Sequence, residues 1–170
     1  MKKTRKQVTK MPRKESTHNS CGSNSGKKTV MPPTYFFVLL LLSIPTYFVL
    51  RVIPLPFNFI GLVFVAFGIV MNLWADAKFK ERQTTISPFG TPTALIAERP
   101  FSISRNPMYV GMASILLGAA ICIGSLIAFL CPIAFAIVIQ AKFLPIEEKN
   151  LGATFANEYQ NYKRKVRQWI

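Results

Sequence analysis

Five residues of this chain have types and spacing suited to ligand chemistry. Arg105, Asn106 and Tyr109 stand in the run SISRNPMYVG, from Ser102 to Gly111, and Glu147 and Glu148 form a pair further along. An arginine beside an amide can hold a carboxylate or a phosphate through a fork of donors. A carboxylate pair can hold a cation such as an ammonium. Both clusters border uncharged sequence, so together they suit a small zwitterionic or charged ligand with an apolar neighbour. Each residue also has a purely structural explanation, because Arg snorkels, Tyr populates interfacial belts and Glu favours helix starts.

Between Arg105 and Lys142 there is no charged residue. As one straight helix this stretch would measure on the order of 50 Å, well beyond a hydrocarbon core of roughly 30 Å. It must fold back, and Gly124-Ser125 is the natural corner, giving legs Met108–Ile123 and Leu126–Ala141. The fold-back brings Arg105, Asn106 and Tyr109 to the same membrane surface as Glu147 and Glu148. Ser114 and Gly118 have the small-xxx-small spacing that lets a neighbouring backbone approach, and Pro132 predicts a bend in the second leg.

Two more apolar blocks precede the hairpin. Thr34–Leu50 is about the minimum that spans a bilayer, and Pro45 should kink it or free a carbonyl. Phe57–Ala75 is apolar on all faces and carries Trp74 at its end as an interfacial anchor. Asp76–Arg105 is polar, with Pro88, Gly90, Pro92 and Pro100, and reads largely as irregular loop. The expected fold is all-α: a polytopic bundle of four membrane segments, its C-terminal hairpin followed by an interfacial helix.

The 170 residues are 51% hydrophobic yet carry a formal charge of +14. Apolar blocks with the charges lying between them mark a membrane protein rather than a soluble core. Residues 1–29 form a basic polar tail, read as disordered, and residues 30–170 form the membrane domain. Its charge serves topology rather than nucleic acid, and no cleavage site of a signal peptide follows the apolar run. Nine basic residues lie in the tail, one in the first connection, five between Asp76 and Arg105, and six from Lys142 onward. That distribution places the tail, the Asp76–Arg105 loop and the C-terminus in the cytoplasm. One histidine and three cysteines without CxxC spacing leave metal chemistry almost no ligands.

After Pro145, the acids Glu147 and Glu148 read as a helix start. Leu151, Phe155, Tyr159, Tyr162, Val166 and Trp169 recur at steps of three and four, opposite Lys163, Arg164, Lys165 and Arg167. This is one amphipathic stripe on a helix lying at the membrane surface or over the bundle.

RNPMYVG, the charge-free hairpin, EEKNL and F-x-x-x-Y-x-x-Y-x-x-x-V-x-x-W, in that order, resemble the isoprenylcysteine carboxyl methyltransferase and phospholipid methyltransferase superfamily. The similarity runs from about Lys80 to Ile170, with TTISP and RPF also family-like; the first two blocks match in character only. The resemblance implies an integral membrane enzyme that transfers a methyl group from S-adenosylmethionine to a lipophilic or small acceptor at the cytoplasmic face. It implies that Arg105, Asn106, Tyr109 and Gly111 shape the cofactor pocket and that Arg105, Asn106 and Tyr109 serve catalysis. Glu147 and Glu148 would hold the cofactor's polar end, its ammonium, with Arg164 and Arg167 a looser match. The partners implied are membrane lipid and the acceptor, and the location a bacterial inner membrane.

Two positions depart from that pattern. Asn106 stands where the superfamily has a histidine, and Arg99 where a glycine precedes the proline of the upstream turn. Asn cannot take up a proton near neutral pH. A carboxylate or thiolate acceptor needs no base, whereas an amine must lose a proton to Glu98, Glu147, Glu148, Tyr109 or water, which tilts the reading away from amines. Two alternatives stand beside it: an NADPH-binding membrane reductase of the sterol-reductase type, and a catalytically silent membrane binding module.

Overall fold

The computed structural model describes residues 31–49, 52–54, 56–84 and 93–169. The basic tail, Arg51 and most of TTISP lie outside the described residues. The chain runs α1 (Pro32–Ser43), α2 (Ile60–Glu81), α3 (Pro107–Ile123), α4 (Leu130–Val138) and α5 (Leu144–Lys165). Short 3-10 turns lead out of α1 (Ile44–Phe48) and into α2 (Phe57–Phe59) and α4 (Ile127–Phe129). No strand occurs among the described residues.

Among the described residues, two helical runs are long and apolar enough to cross a membrane, Phe57–Glu81 and Ile127–Lys165. The apolar helices Pro32–Phe48 and Pro107–Ile123 are shorter. Large apolar side chains stand outward along these helices, among them Leu41, Val63, Leu73, Leu130 and Ile137, all more than half exposed. Water would penalise such a surface, and lipid would not.

Helices α2 and α3 are antiparallel and touch at backbone distance. Gly61 meets Gly118, and Gly68 meets Gly111, with no room for a Cβ at any of the four. Ser114 adds a hydrogen bond across the seam, its hydroxyl donating to the Phe64 carbonyl at 2.9 Å. The small-residue spacing read at Ser114 and Gly118 is thus part of a longer ladder whose partner glycines stand on α2. At the far end the chain turns at Gly124, left-handed at φ 72°. The Gly124 carbonyl accepts from Val52 N–H at 2.8 Å, and the Asn58 amide donates to Cys122 O at 2.9 Å.

Against this pair pack α1 and α4, through a core of Phe36, Leu116, Phe135, Ile139, Phe143 and Leu144, with Tyr109 at its edge. Phe36 meets Phe135 edge-on at 6.4 Å. A second cluster of Ala75, Ile96 and Phe101 lies under the loop that leads into α3.

Several expectations need correction. Helix α2 does not stop at Ala75 but runs to Glu81. Its polar last turns are stitched by Lys80–Asp76 (2.6 Å) and Lys78–Glu81 (2.6 Å), and its terminal lysines suit the helix dipole. Pro145 does not begin a separate helix. The second leg continues into α5 through a π-helical segment, Ile139–Phe143. Proline supplies no N–H to the carbonyl four residues back and crowds it, and a widened turn just ahead relieves both. Pro132 sits in the first turn of α4 rather than at a mid-leg bend.

Nor is α5 one straight stripe. Ala156 (φ 37°, ψ −109°) kinks it, and Val166 is already extended. Tyr159 and Tyr162 are buried, while Leu151 and Phe155, before the kink, are only partly covered.

Candidate functional site

The loop Phe101–Asn106 enters α3 at Pro107, the favoured first helical position for proline. Asn106 occupies the N-cap, yet its side chain makes no capping bond. Its amide instead donates to the Gln168 carbonyl at 3.1 Å. Arg105, with only 10% of its side chain exposed, donates through Nη1 to Glu148 at 2.9 Å and to the Tyr159 hydroxyl at 3.4 Å. Its Nε is buried without a hydrogen-bond partner. Tyr109, one turn into α3, donates to Glu147. The two polar clusters are therefore joined twice, once through each glutamate.

The glutamates do different work. Glu147 lines a cavity of about 270 Å³, together with Arg105, Asn106, Tyr109 and Asn150. The remaining wall is mostly apolar, including Phe79, Ile96, Phe101, Met108 and Met112. That volume is near the lower end of small-molecule sites, roughly 300–1,000 Å³. Glu148 does not line the cavity and is shared by Arg105, Lys163 (2.7 Å) and Gln168 (3.4 Å). Gly111 is absent from the cavity wall; it serves the seam with α2. Arg164 and Arg167 do not line it either, but the Arg167 carbonyl accepts the Arg105 N–H at 3.0 Å.

The charge-free part of the long helix ends at Lys142, and Glu147 lies beyond it. Glu147 is held by the Tyr109 hydroxyl, which donates to its carboxylate. Tyr162 uses its proton on the Phe101 carbonyl at 2.6 Å, fixing the loop ahead of the motif.

Sequence reasoning passed over Tyr159 and Gln168 as site residues. Tyr159 stood in the apolar stripe, where its ring explained it without its hydroxyl. Gln168 contributes a backbone carbonyl, which no side-chain pattern announces. No group of residues able to hold a metal ion occurs among the described residues.

The profile of the phospholipid methyltransferase family matches residues 57–158, well over half of the chain. The chain belongs to the phospholipid methyltransferase family. The matched region of this family member contains α2, the Arg105–Tyr109 motif, the hairpin and both glutamates. The chain is also similar to an uncharacterized protein of Haemophilus influenzae, 38% identical over 63 residues, which are 37% of this chain and all of that protein. No solved structure matches this family member.

Proposed function

We propose that this chain is an integral membrane methyltransferase that uses S-adenosylmethionine to methylate a lipophilic acceptor at the cytoplasmic membrane face. The family supports the reaction class. One observation carries the cofactor reading: a mostly apolar cavity with a buried, unpartnered Arg105 Nε and a single carboxylate, Glu147, on its wall. Those residues fit a zwitterionic sulfonium compound. Arg105 would hold its carboxylate, and Glu147 would face its positive charge.

When bound, the donor supplies an electrophilic sulfonium methyl. The chain's own contribution is orientation and exclusion of water. Glu148 and Tyr159 hold the Arg105 guanidinium, and Tyr109 holds Glu147. The apolar wall of Phe79, Met108 and Met112 keeps water from the reacting centre and receives the acceptor's apolar part. A carboxylate or thiolate acceptor needs no base. An amine must first lose a proton, and Glu147 is the carboxylate on the cavity wall that would take it where Asn106 cannot.

In this reading all four apolar helical runs cross the bilayer, the shorter ones with local thinning. The basic segments and both termini then face the cytoplasm of a bacterial inner membrane. Calorimetric titration of the detergent-purified protein with S-adenosylmethionine and S-adenosylhomocysteine, with NADPH as control, tests the cofactor. Micromolar binding of both methionine nucleotides, abolished by Glu147→Gln with Arg105→Met, is expected. A folded sample that binds neither overturns the reading, and binding of NADPH alone replaces it with the reductase.

A further inference from the structure

The four residues after α5 cross back over the motif loop. Val166 is extended (φ −122°, ψ 131°), and from there the chain binds both sides of the site. The Arg167 carbonyl accepts from the Arg105 N–H at 3.0 Å. The Gln168 carbonyl accepts from the Ser104 hydroxyl at 3.3 Å and from the Asn106 amide at 3.1 Å. The Gln168 side chain donates to Glu148 at 3.4 Å, and Gln140 donates to its carbonyl oxygen at 3.3 Å. Trp169 then pins the end, its indole N–H donating to Gln140 at 2.9 Å and its ring packing on the main core.

We infer that Val166–Trp169 is a positioning strap, which orients Arg105 on the cavity wall by holding the Ser104–Asn106 backbone, with Trp169 as its lock on the hairpin. Three features support this. Arg105 has a backbone N–H that no helix or turn satisfies, and the strap satisfies it. Asn106 is among the best capping residues, yet its side chain leaves the helix N-terminus uncapped to reach the strap. Gln140, the strap's anchor, stands inside the π segment, so the widened turn ahead of Pro145 presents the group that Trp169 grips. Asn106 and Trp169 are on this account positioning residues that act through Arg105. Asn106 thereby keeps a role without any proton chemistry.

The functional consequence rests on the methyltransferase reading above, and the test separates the two. Amide hydrogen exchange is followed by mass spectrometry on ligand-free protein in detergent, for the wild type and for Trp169→Ala, Trp169→Phe and Asn106→Ala. Binding of S-adenosylhomocysteine is titrated on the same samples. Trp169→Ala and Asn106→Ala should speed exchange in the Phe101–Asn106 segment while α2 and α3 keep wild-type protection. Both should weaken nucleotide binding by about tenfold, the order expected for a lost hydrogen bond that fixes a binding group. Trp169→Phe, which keeps the ring in the core, should lie between wild type and Trp169→Ala in both readouts. Unchanged exchange in Phe101–Asn106, or equal loss of protection throughout α3, overturns the strap. Faster local exchange with undiminished affinity overturns its positioning role. If the wild type binds no nucleotide, the cofactor reading fails, and the exchange pattern alone decides whether the strap holds the loop.

Discussion

Gly68 and Gly111 face each other across the α2–α3 seam so closely that a Cβ on Gly111 would stand 2.8 Å from the Gly68 carbonyl oxygen. Gly61 and Gly118 repeat the arrangement further along the same two helices. In lipid, apolar surface alone gives helices little reason to associate, so close backbone packing carries much of the attraction. Gly111→Leu should destabilise the fold by about 1–3 kcal/mol or more through overpacking. Gly152→Ala is the control, because its Cβ would meet only Tyr159 Cδ1 at 3.9 Å. Thermal unfolding in detergent should show a clear fall in Tm for the first and little change for the second.

Glu147 should matter for its charge as well as its shape. It lines the cavity and accepts the Tyr109 hydroxyl. Glu147→Gln keeps the size and a hydrogen-bond acceptor but offers no negative charge to a cation. Affinity for S-adenosylmethionine should fall by about tenfold, the order expected for a lost hydrogen bond to a charged group. Calorimetric titration of Glu147→Gln beside wild type reads the difference.

Arg105→Lys should fail as a conservative change. An ammonium can replace the charge opposite Glu148, but it offers no planar fork to serve Glu148, Tyr159 and a ligand together. Nucleotide affinity should fall by at least about tenfold, corresponding to ~1.4 kcal/mol, as read by titration of Arg105→Lys against wild type.

Lys163→Met should be mild by comparison. Lys163 bonds the outer oxygen of Glu148 at 2.7 Å, but its side chain is 43% exposed. Such pairs contribute about 0–1 kcal/mol and are screened by salt. The variant should keep nucleotide affinity within about threefold of wild type, and the difference should shrink as sodium chloride is added to the titration.

The helical character of the chain was legible because bilayer-like apolar blocks of the right length have few other ways to satisfy their backbones. The arginine and glutamate clusters could be named because charged residues beside such blocks are costly and few. What spacing could not supply was the division of labour between Glu147 and Glu148. Neighbours in sequence lie about 100° apart around a helix, so one faces the cavity and the other Lys163. Asn106 before a proline has the pattern of a cap, and only tertiary contact shows its amide spent on Gln168. The expected stripe through Trp169 ignored the backbone reversal at Ala156, where no glycine or proline marks the break. Gly61 and Gly68 stand seven apart, outside the small-xxx-small pattern, and so escaped notice beside Ser114 and Gly118.

The helical run from Ile127 to Lys165 contains no loop. Exposed Leu130 and cavity-lining Glu147 therefore ride on one rod, roughly 25 Å apart at 1.5 Å per residue. A lean of about 10° of the whole rod about Leu130 would swing the carboxyl by roughly 4 Å, more than the reach of a hydrogen bond. Tyr109 belongs to a different rod, bolted to α2 through Gly68 and Gly111. Were that rod to cross a bilayer, as proposed above, the thickness of the lipid would bear on the alignment of a carboxylate and a phenol.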